Sequence, residues 1–276
     1  MANQVAKPRV LSIAGSDPSG GAGIQADLKT FGALGAYGMA ALTSLTAQNT
    51  RGVTAVQGIA PDFVRAQLDA VFDDIEVDAV KIGMLQSAEI IEVVADVLRE
   101  RKPPYVVLDP VMIATSGDRL LDVAAVGALR DALFPLADLI TPNVAEAAAL
   151  LGSSRATDVK TLVGQATSLV ALGARRALVK GGDLGGPTSP DVLVDGTAEP
   201  RVFEATRVET SATHGTGCTF SSAIAALRPM RPDWVTAIED AKGYLSAILN
   251  GSRDLRVGHG NGPLDHFAPH EVIAIR

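Results

Sequence analysis

The feature that most constrains the fold is a repeated alternation of short apolar runs with longer segments of helical spacing. The apolar runs include "VLSIAG", "GMAALTSLTAQ", "DAVKIGML", "YVVLDPV", "ADLITP" and "ALVKGG". Strands that alternate with helices form a mostly parallel sheet with helices on both faces. The sequence therefore predicts an α/β fold built on one such sheet.

Several element boundaries can be predicted from residue type. Pro61 is suited to open an amphipathic helix, and Ser87 is suited to cap a helix that runs to Arg101. Asp195-Gly196 lies between two short β runs, which predicts an antiparallel hairpin at one edge of the sheet. We find no repeat or linker, so a single domain over residues 1–276 is expected. Further helices are expected over 122–133, 158–172 and 233–249, with another after Cys218.

Composition limits the partners and the location. The net charge is −7 without a basic block, which argues against nucleic acid or an anionic membrane as the main partner. The N-terminus shows no signal-peptide pattern, and one cysteine cannot form an intramolecular disulfide, so a cytoplasmic location is expected. The charge-free residues 30–50 contain three glycines and several polar side chains. A buried helix end followed by a buried strand explains this stretch better than a membrane span.

Polar and glycine-rich segments follow most of the predicted strands. In open α/β sheets, ligands bind beyond the carboxyl ends of the strands, so these segments are expected to converge on one site. The segments are 16–23, 48–49, 81–84, 109–111, 141–146 and 180–182.

The loop after the first strand gives only a weak motif. Gly21, Gly23 and Ala26 match the dinucleotide pattern G-x-G-x-x-A, but the match begins several residues beyond the strand. No acidic residue lies about 20 positions further on to hold a ribose. There is also no P-loop motif, so a surface loop is the better interpretation of this segment on its own.

The segment "TPNVAE" has two interpretations. Asn143 and Glu146 have the spacing of a helix capping pair. The alternative places Glu146 near a metal-bound phosphate at the same helix start. The two are only partly compatible, because a carboxylate that bonds its own helix cap has fewer lone pairs for the waters of a metal.

The segment "THGTGCT" predicts an anion-binding turn. Gly215, Thr216 and Gly217 can expose consecutive N–H groups, and the following helix adds its positive end. A helix N-terminus favours the thiolate, so the pKa of Cys218 is expected to be lowered. A nucleophilic role and the role of a small buried apolar residue both remain open for this thiol.

Taken together, the motifs resemble a known family. They are "AGSDPSGGAGIQADLKTFGALGAYG", "TAQNTRGV", "VKIGML", "LDPVM…SGD", "TPN…EA", "VKGG", "THGTGCT" and "VGHGNGP", in order from Val10 to Pro263. This set resembles the bacterial hydroxymethylpyrimidine/phosphomethylpyrimidine kinases of thiamine biosynthesis, which belong to the ribokinase-like superfamily. The resemblance implies a three-layer α/β/α sandwich and two successive ATP-dependent phosphorylations, first of 4-amino-5-hydroxymethyl-2-methylpyrimidine and then of its monophosphate. It also implies Mg²⁺ and a homodimer.

The resemblance assigns roles residue by residue. Gln48 would read the aminopyrimidine, and Cys218, where most of the superfamily has aspartate, would occupy the position of the base. The anion hole would be formed by Gly215, Thr216 and Gly217. Lys180 would be catalytic and would contact the ATP phosphates. The ring would be surrounded by Asp27, Gly15, Met84 and Val111, and the nucleotide and Mg²⁺ would be served by Asn143, Asp109 and Glu146.

Three other functions remain open. A pyridoxal kinase of the same subfamily would share the scaffold. In that branch methionine occupies the position of Gln48, so the glutamine here favours a pyrimidine substrate. A ligand-binding protein on an inactive kinase scaffold is disfavoured because Asn143, Glu146, Lys180 and Cys218 are all present. A nicotinamide-dependent dehydrogenase is the most distant alternative.

Overall fold

A computed structural model describes residues 7–112 and 125–268, and all of its named strands lie in one sheet. The strands are β1 (Arg9–Ser16), β2 (Tyr37–Asn49), β3 (Gly52–Gly58), β4 (Ala79–Ile82), β5 (Val106–Leu108), β6 (Leu139–Ile140), β7 (Ala177–Lys180), β8 (Asp191–Val194) and β9 (Arg201–Phe203). Their spatial order is β3-β2-β1-β4-β5-β6-β7-β8-β9. The six strands from β2 to β7 in this order run parallel, which confirms the predicted sheet.

Helices cover both faces of the sheet. They are α1 (Gly23–Ala33), α2 (Pro61–Phe72), α3 (Ala88–Arg101), α4 (Ala125–Ala128, continued by a π-helical turn Leu129–Leu133), α5 (Val144–Leu151), α6 (Val159–Ala171), α7 (Thr216–Leu227) and α8 (Trp234–Gly251). One buried core joins α2 to α6 with the sheet, and a second core joins α1, α7 and α8 with its other face. The three-layer sandwich implied by the resemblance is thereby confirmed.

The predicted helix boundaries agree with the structure except at the start of α7. Pro61 opens α2, and the Ser87 hydroxyl accepts a bond from Ile90 N at the start of α3. The helix expected over 122–133 is present from Ala125, whereas its first residues and the "SGD" motif at 116–118 lie outside the described residues. Helix α7 begins at Thr216, so Cys218 lies in its first turn and not before it.

The two sheet edges differ from the prediction in two respects. The predicted hairpin is β8–β9, and its connection runs from 195 to 200, longer than a two-residue turn. At the opposite edge β3 pairs antiparallel with β2 and forms a second hairpin that the sequence analysis missed. Four consecutive residues of β3, 54–57, are exposed, so the strand lacks the apolar alternation that would have revealed it.

The charge-free residues 30–50 form the end of α1 and all of β2, as expected, but β2 is only partly buried and not the buried strand that was predicted. Within the two described ranges, no helix has both the length and the apolar character that a membrane span requires.

Candidate active site

A cleft of about 780 Å³ lies at the carboxyl ends of the parallel strands. Its lining includes every residue to which the resemblance gave an individual role except Asp27. The predicted residues that line it are Gly15, Gln48, Met84, Asp109, Val111, Asn143, Glu146, Lys180, Gly215, Thr216, Gly217 and Cys218. These residues therefore share one cavity, and their individual roles stay predictions.

The start of α7 forms one wall of the cleft. Gly215 precedes the helix with φ 83°, a conformation that favours glycine, and an added Cβ would lie 1.8 Å from the Gly21 carbonyl oxygen. The Thr216 N–H donates to the Thr213 carbonyl oxygen at 3.3 Å, so it is not free for an anion as predicted. The helix itself offers no acceptor to the N–H groups of Gly217 and Cys218, which lie in the lining of the cleft. A Cβ on Gly217 would lie 3.3 Å from Lys180 Nζ, so the lysine stands directly beside the turn. The arrangement suits an anion.

Asp109 and Lys180 form an ion pair at the base of this turn. Lys180 Nζ donates to Asp109 Oδ1 at 2.9 Å, and the carboxylate also accepts from Thr141 Oγ1 at 3.1 Å and Ser221 Oγ at 3.2 Å. Burial alone would raise the pKa of Asp109, but the ammonium groups of Lys180 and Lys81 hold it below its ordinary value. Both members of the pair are therefore charged at neutral pH.

Glu146 fulfils the capping prediction and still lies at the cleft. Asn143 N donates to Glu146 Oε2 at 2.8 Å, and Glu146 N donates to Asn143 Oδ1 at 2.9 Å, so both halves of a capping box are present. Burial raises the pKa of Glu146 to about 7, with Lys180 opposing the shift and Asp109 adding to it. A buried carboxyl beside a second carboxylate is a group that gains from a nearby cation.

The raised pKa of Glu146 leads to a prediction about stability. A carboxyl whose pKa rises on folding binds more protons in the native state, so its contribution to stability is lost as the pH rises from about 4.5 to about 7. Glutamine can keep the capping box but has no charge. Between pH 5 and pH 8, Glu146→Gln should therefore gain about 2–3 kcal/mol of unfolding free energy relative to wild type. Urea denaturation at the two pH values measures the difference. The exposed Glu92→Gln is the matched control, and equal pH dependence in both variants would contradict the assignment.

The expectation that the Cys218 thiol has a lowered pKa is wrong. Burial raises its pKa to about 11; Lys81 opposes this, while Asp27 and Asp109 add to it. The helix start and the Gly23 N–H bonded to the sulfur favour the thiolate, but the loss of water around the thiol outweighs them. At neutral pH the residue is a thiol.

Asp27 is buried beneath the cleft and does not reach it. Its carboxylate pairs with Lys81 Nζ at 2.8 Å and accepts from Ser12 Oγ at 2.5 Å and Ser222 Oγ at 2.7 Å. The implied contact of Asp27 with a ring is therefore not present, because all of its side chain is covered. The group instead joins α1, β1, β4 and α7 below Cys218. Gly15 belongs to the cleft floor, where a Cβ would lie 2.8 Å from Ser44 Oγ and 3.0 Å from Met84 Cε.

Asp17 lies in segment 16–23, which was expected at the site, but the sequence analysis gave this residue no role of its own. Its carboxylate accepts bonds from Ser19 and from the N–H groups of Gly21 and Ala22, and it pairs with His214 Nε2 at 2.8 Å. Despite the opposing effect of burial, these bonds lower the pKa of Asp17 to about 2. The carboxylate thus holds the loop after β1 against the turn that begins α7. The two partners are 197 residues apart, so no sequence spacing could reveal them.

A further buried ion pair lies elsewhere along the cleft. Lys242 Nζ donates to Asp191 Oδ2 at 2.6 Å and to the Ser189 carbonyl at 2.7 Å, and Gly181 N donates to Asp191 Oδ1 at 3.1 Å. Val208, Leu245 and Leu249 line the same cleft. This part combines an apolar wall with backbone polar groups, which suits a flat heterocycle.

Comparisons with known proteins identify a family. The sequence profile described as phosphomethylpyrimidine kinase matches residues 17–265. The chain is 53 % identical over 257 residues to the hydroxymethylpyrimidine/phosphomethylpyrimidine kinase of Escherichia coli K12, covering 93 % of this chain and 96 % of that protein. Two solved structures are similar. An ADP complex of Bacillus subtilis pyridoxal kinase has a TM-score of 0.88 at 40 % identity, covering 96 % of this chain and 99 % of that one. Phosphomethylpyrimidine kinase from Clostridium difficile 630 has a TM-score of 0.76 at 42 % identity, covering 87 % and 98 %.

Proposed function

The chain belongs to the phosphomethylpyrimidine kinase family, and on that premise we propose that it phosphorylates a hydroxymethylpyrimidine twice. The first acceptor is the hydroxymethyl group of 4-amino-5-hydroxymethyl-2-methylpyrimidine, and the second is the resulting monophosphate. ATP is the phosphoryl donor. The enzyme is thus a bifunctional phosphotransferase that supplies the pyrimidine diphosphate for thiamine biosynthesis.

One observation carries this proposal: the same cleft contains a carboxamide that can hydrogen-bond to a substrate ring and a helix start beside a lysine that can bind a phosphoryl group. Gln48 lines the cleft together with Lys180 and the start of α7. A carboxamide has both a donor and an acceptor, which complements a ring nitrogen beside an exocyclic amine. Phosphoryl transfer depends mainly on positioning and charge stabilisation, which the turn and Lys180 provide.

Different groups of the chain stabilise the phosphoryl charge and accept the proton of the acceptor. The N–H groups of the α7 turn and the Lys180 ammonium face the charge that develops on the phosphoryl oxygens. In this proposal Cys218 accepts the proton of the acceptor hydroxyl in the first reaction, and it does so in its thiolate form, which is the minor form at neutral pH. The monophosphate acceptor of the second reaction is already anionic and needs this base less.

Mg²⁺ would enter with the nucleotide. No cluster of three or more histidine, cysteine or acidic side chains in the described ranges is arranged to hold a metal by itself. Two buried carboxylates, Asp109 and Glu146, nevertheless lie close enough to influence each other's ionisation. That donor set fits an ion that keeps several waters and binds mostly to phosphates, as Mg²⁺ does. When bound, the ion would neutralise phosphate charge.

The pyridoxal kinase alternative shares this scaffold, as the Bacillus subtilis structure illustrates. The higher identity to the Escherichia coli enzyme and the carboxamide at position 48 favour the pyrimidine. We further propose, on the resemblance alone, that the chain acts as one kinase domain over residues 1–276, forms a homodimer and works in the cytoplasm on small molecules.

The proposed acceptor is tested with Gln48→Met. Removing the carboxamide leaves the ring nitrogen and amine of the substrate unpaired, at a cost of about 1–3 kcal/mol for each buried group. We expect kcat/KM for hydroxymethylpyrimidine to fall by about 10–100-fold, whereas the KM for ATP stays within about twofold. Steady-state kinetics with each substrate varied in turn measures both values. Unchanged kcat/KM for the pyrimidine would refute the assignment, and pyridoxal serves as the comparison substrate.

A further inference from the structure

Thr46 contacts both the strand beside it and the carboxamide of Gln48. It lies in β2 two residues before Gln48, on the same side of the strand, and both residues line the cleft. Thr46 Oγ1 is 2.8 Å from the Ser16 carbonyl oxygen and 3.0 Å from Gln48 Oε1. The hydroxyl therefore links the end of β1 to the side chain of Gln48 in the cleft lining.

One proton cannot serve both of these contacts. A carbonyl oxygen only accepts, so the contact with Ser16 requires the Thr46 proton. The hydroxyl then has only lone pairs to offer Gln48, and the group that satisfies them is an N–H. A carboxamide exchanges its oxygen and its NH₂ group by a half-turn about its last torsion, and the hydrogen-bond network decides which of them faces a given neighbour. With Nε2 towards Thr46, all three groups are satisfied at once.

We propose that Thr46 determines the specificity of the site by holding the Gln48 carboxamide with Nε2 towards its hydroxyl. This inference rests on the proposed function, in which Gln48 reads the acceptor ring. One Nε2 proton bonds Thr46 Oγ1, the other is free for a ring nitrogen, and Oε1 is free to accept from an exocyclic amine. The held carboxamide thus presents a donor and an acceptor in a fixed order.

The fixed order selects one class of ring. A 4-aminopyrimidine presents an acceptor nitrogen beside a donor amine, which is the complementary order. A 4-oxopyrimidine protonated on the adjacent ring nitrogen presents a donor beside an acceptor and needs the carboxamide turned over. Turning it would set Oε1 against the lone pairs of Thr46 or break the bond to Ser16. The site should therefore reject the oxo ring although the two rings have nearly the same shape.

The kinetic test compares Thr46→Val with Thr46→Ser. Valine keeps the shape and the strand preference of threonine but has no hydroxyl, whereas serine keeps the hydroxyl. For Thr46→Val, we expect kcat/KM for the 4-amino acceptor to fall by about tenfold. The ratio of kcat/KM for the 4-amino acceptor to kcat/KM for the 4-oxo analogue should fall by a similar factor. The KM for ATP should stay unchanged. Thr46→Ser should keep the wild-type preference. An unchanged preference in the valine variant, or an equal loss in both variants, would overturn the proposal.

A measurement without turnover separates this inference from the proposed function. In nitrogen-15 NMR spectra of the free protein, the Gln48 side-chain amide signal should shift in Thr46→Val, because one Nε2 proton loses its acceptor, and should hold its place in Thr46→Ser. If the wild-type enzyme fails to phosphorylate the 4-amino acceptor, the proposed function fails while this signal still tests the orientation. A Gln48 amide signal that is the same in all three proteins would overturn the role of Thr46 directly.

Discussion

Lys180→Met should reduce phosphoryl transfer by about 10²–10³-fold in both half-reactions, the scale expected when one strong electrostatic contact to a transition state is lost. The Lys180 ammonium stands beside the α7 turn and pairs with Asp109 at 2.9 Å. Methionine retains the length and most of the apolar contact of the lysine stem but has no charge. Because the lost contact acts mainly in the transition state, kcat should fall more than the KM for either substrate rises.

The same substitution leaves Asp109 buried without its main cation, so stability must be measured with activity. Removing one member of a buried pair typically costs about 3–5 kcal/mol. Thermal unfolding and activity per folded molecule separate the two effects. Lys160→Met, at an exposed position of α6, is the matched control and should behave as wild type. Normal activity per folded molecule in Lys180→Met would assign the lysine a purely structural role.

The location of the cleft could be predicted because it follows from backbone geometry. Parallel strands end at one edge of the sheet. Asp109, directly after β5, and Lys180, the last residue of β7, therefore had to approach one another. Local chemistry was equally predictable: Ser87 and the pair Asn143–Glu146 cap helices as their residue types require. Such features depend on neighbours within a few residues or on the register of the whole sheet.

Features that depend on burial could not be predicted from sequence. Asp27 resembles a site residue by motif, yet its carboxylate is covered by Lys81 and two serines from distant elements. The raised pKa of Cys218 has the same origin, because dehydration depends on all the atoms around the thiol and not on the helix start alone. The Asp17–His214 pair likewise exists only after two loops meet.

Cys218→Ala should separate the two half-reactions. The hydroxymethyl group must lose a proton as it attacks, and a positioned base is worth roughly 10²–10⁴-fold in such a step. The monophosphate acceptor is largely ionised at neutral pH, since its second pKa is about 6, and needs little help. The substitution keeps the backbone N–H groups of the α7 turn, so the KM for ATP should not change. Each half-reaction is measured separately, with purified pyrimidine alcohol or purified monophosphate as the acceptor.

The pH dependence of kcat/KM in the wild-type enzyme distinguishes a base role of Cys218 from a packing role, because packing alone does not titrate. With a pKa of about 11, the thiolate fraction of Cys218 increases about tenfold for each pH unit between 8 and 10. If the thiolate is the base, kcat/KM for the alcohol should rise with that slope, and the rise should disappear in Cys218→Ala. For the monophosphate, which is fully ionised in this range, kcat/KM should stay level in both proteins. Equal losses in the two half-reactions without a change of slope would instead mean that Cys218 acts by packing the start of α7. No loss at all would make it a partly buried side chain with no part in the transfer.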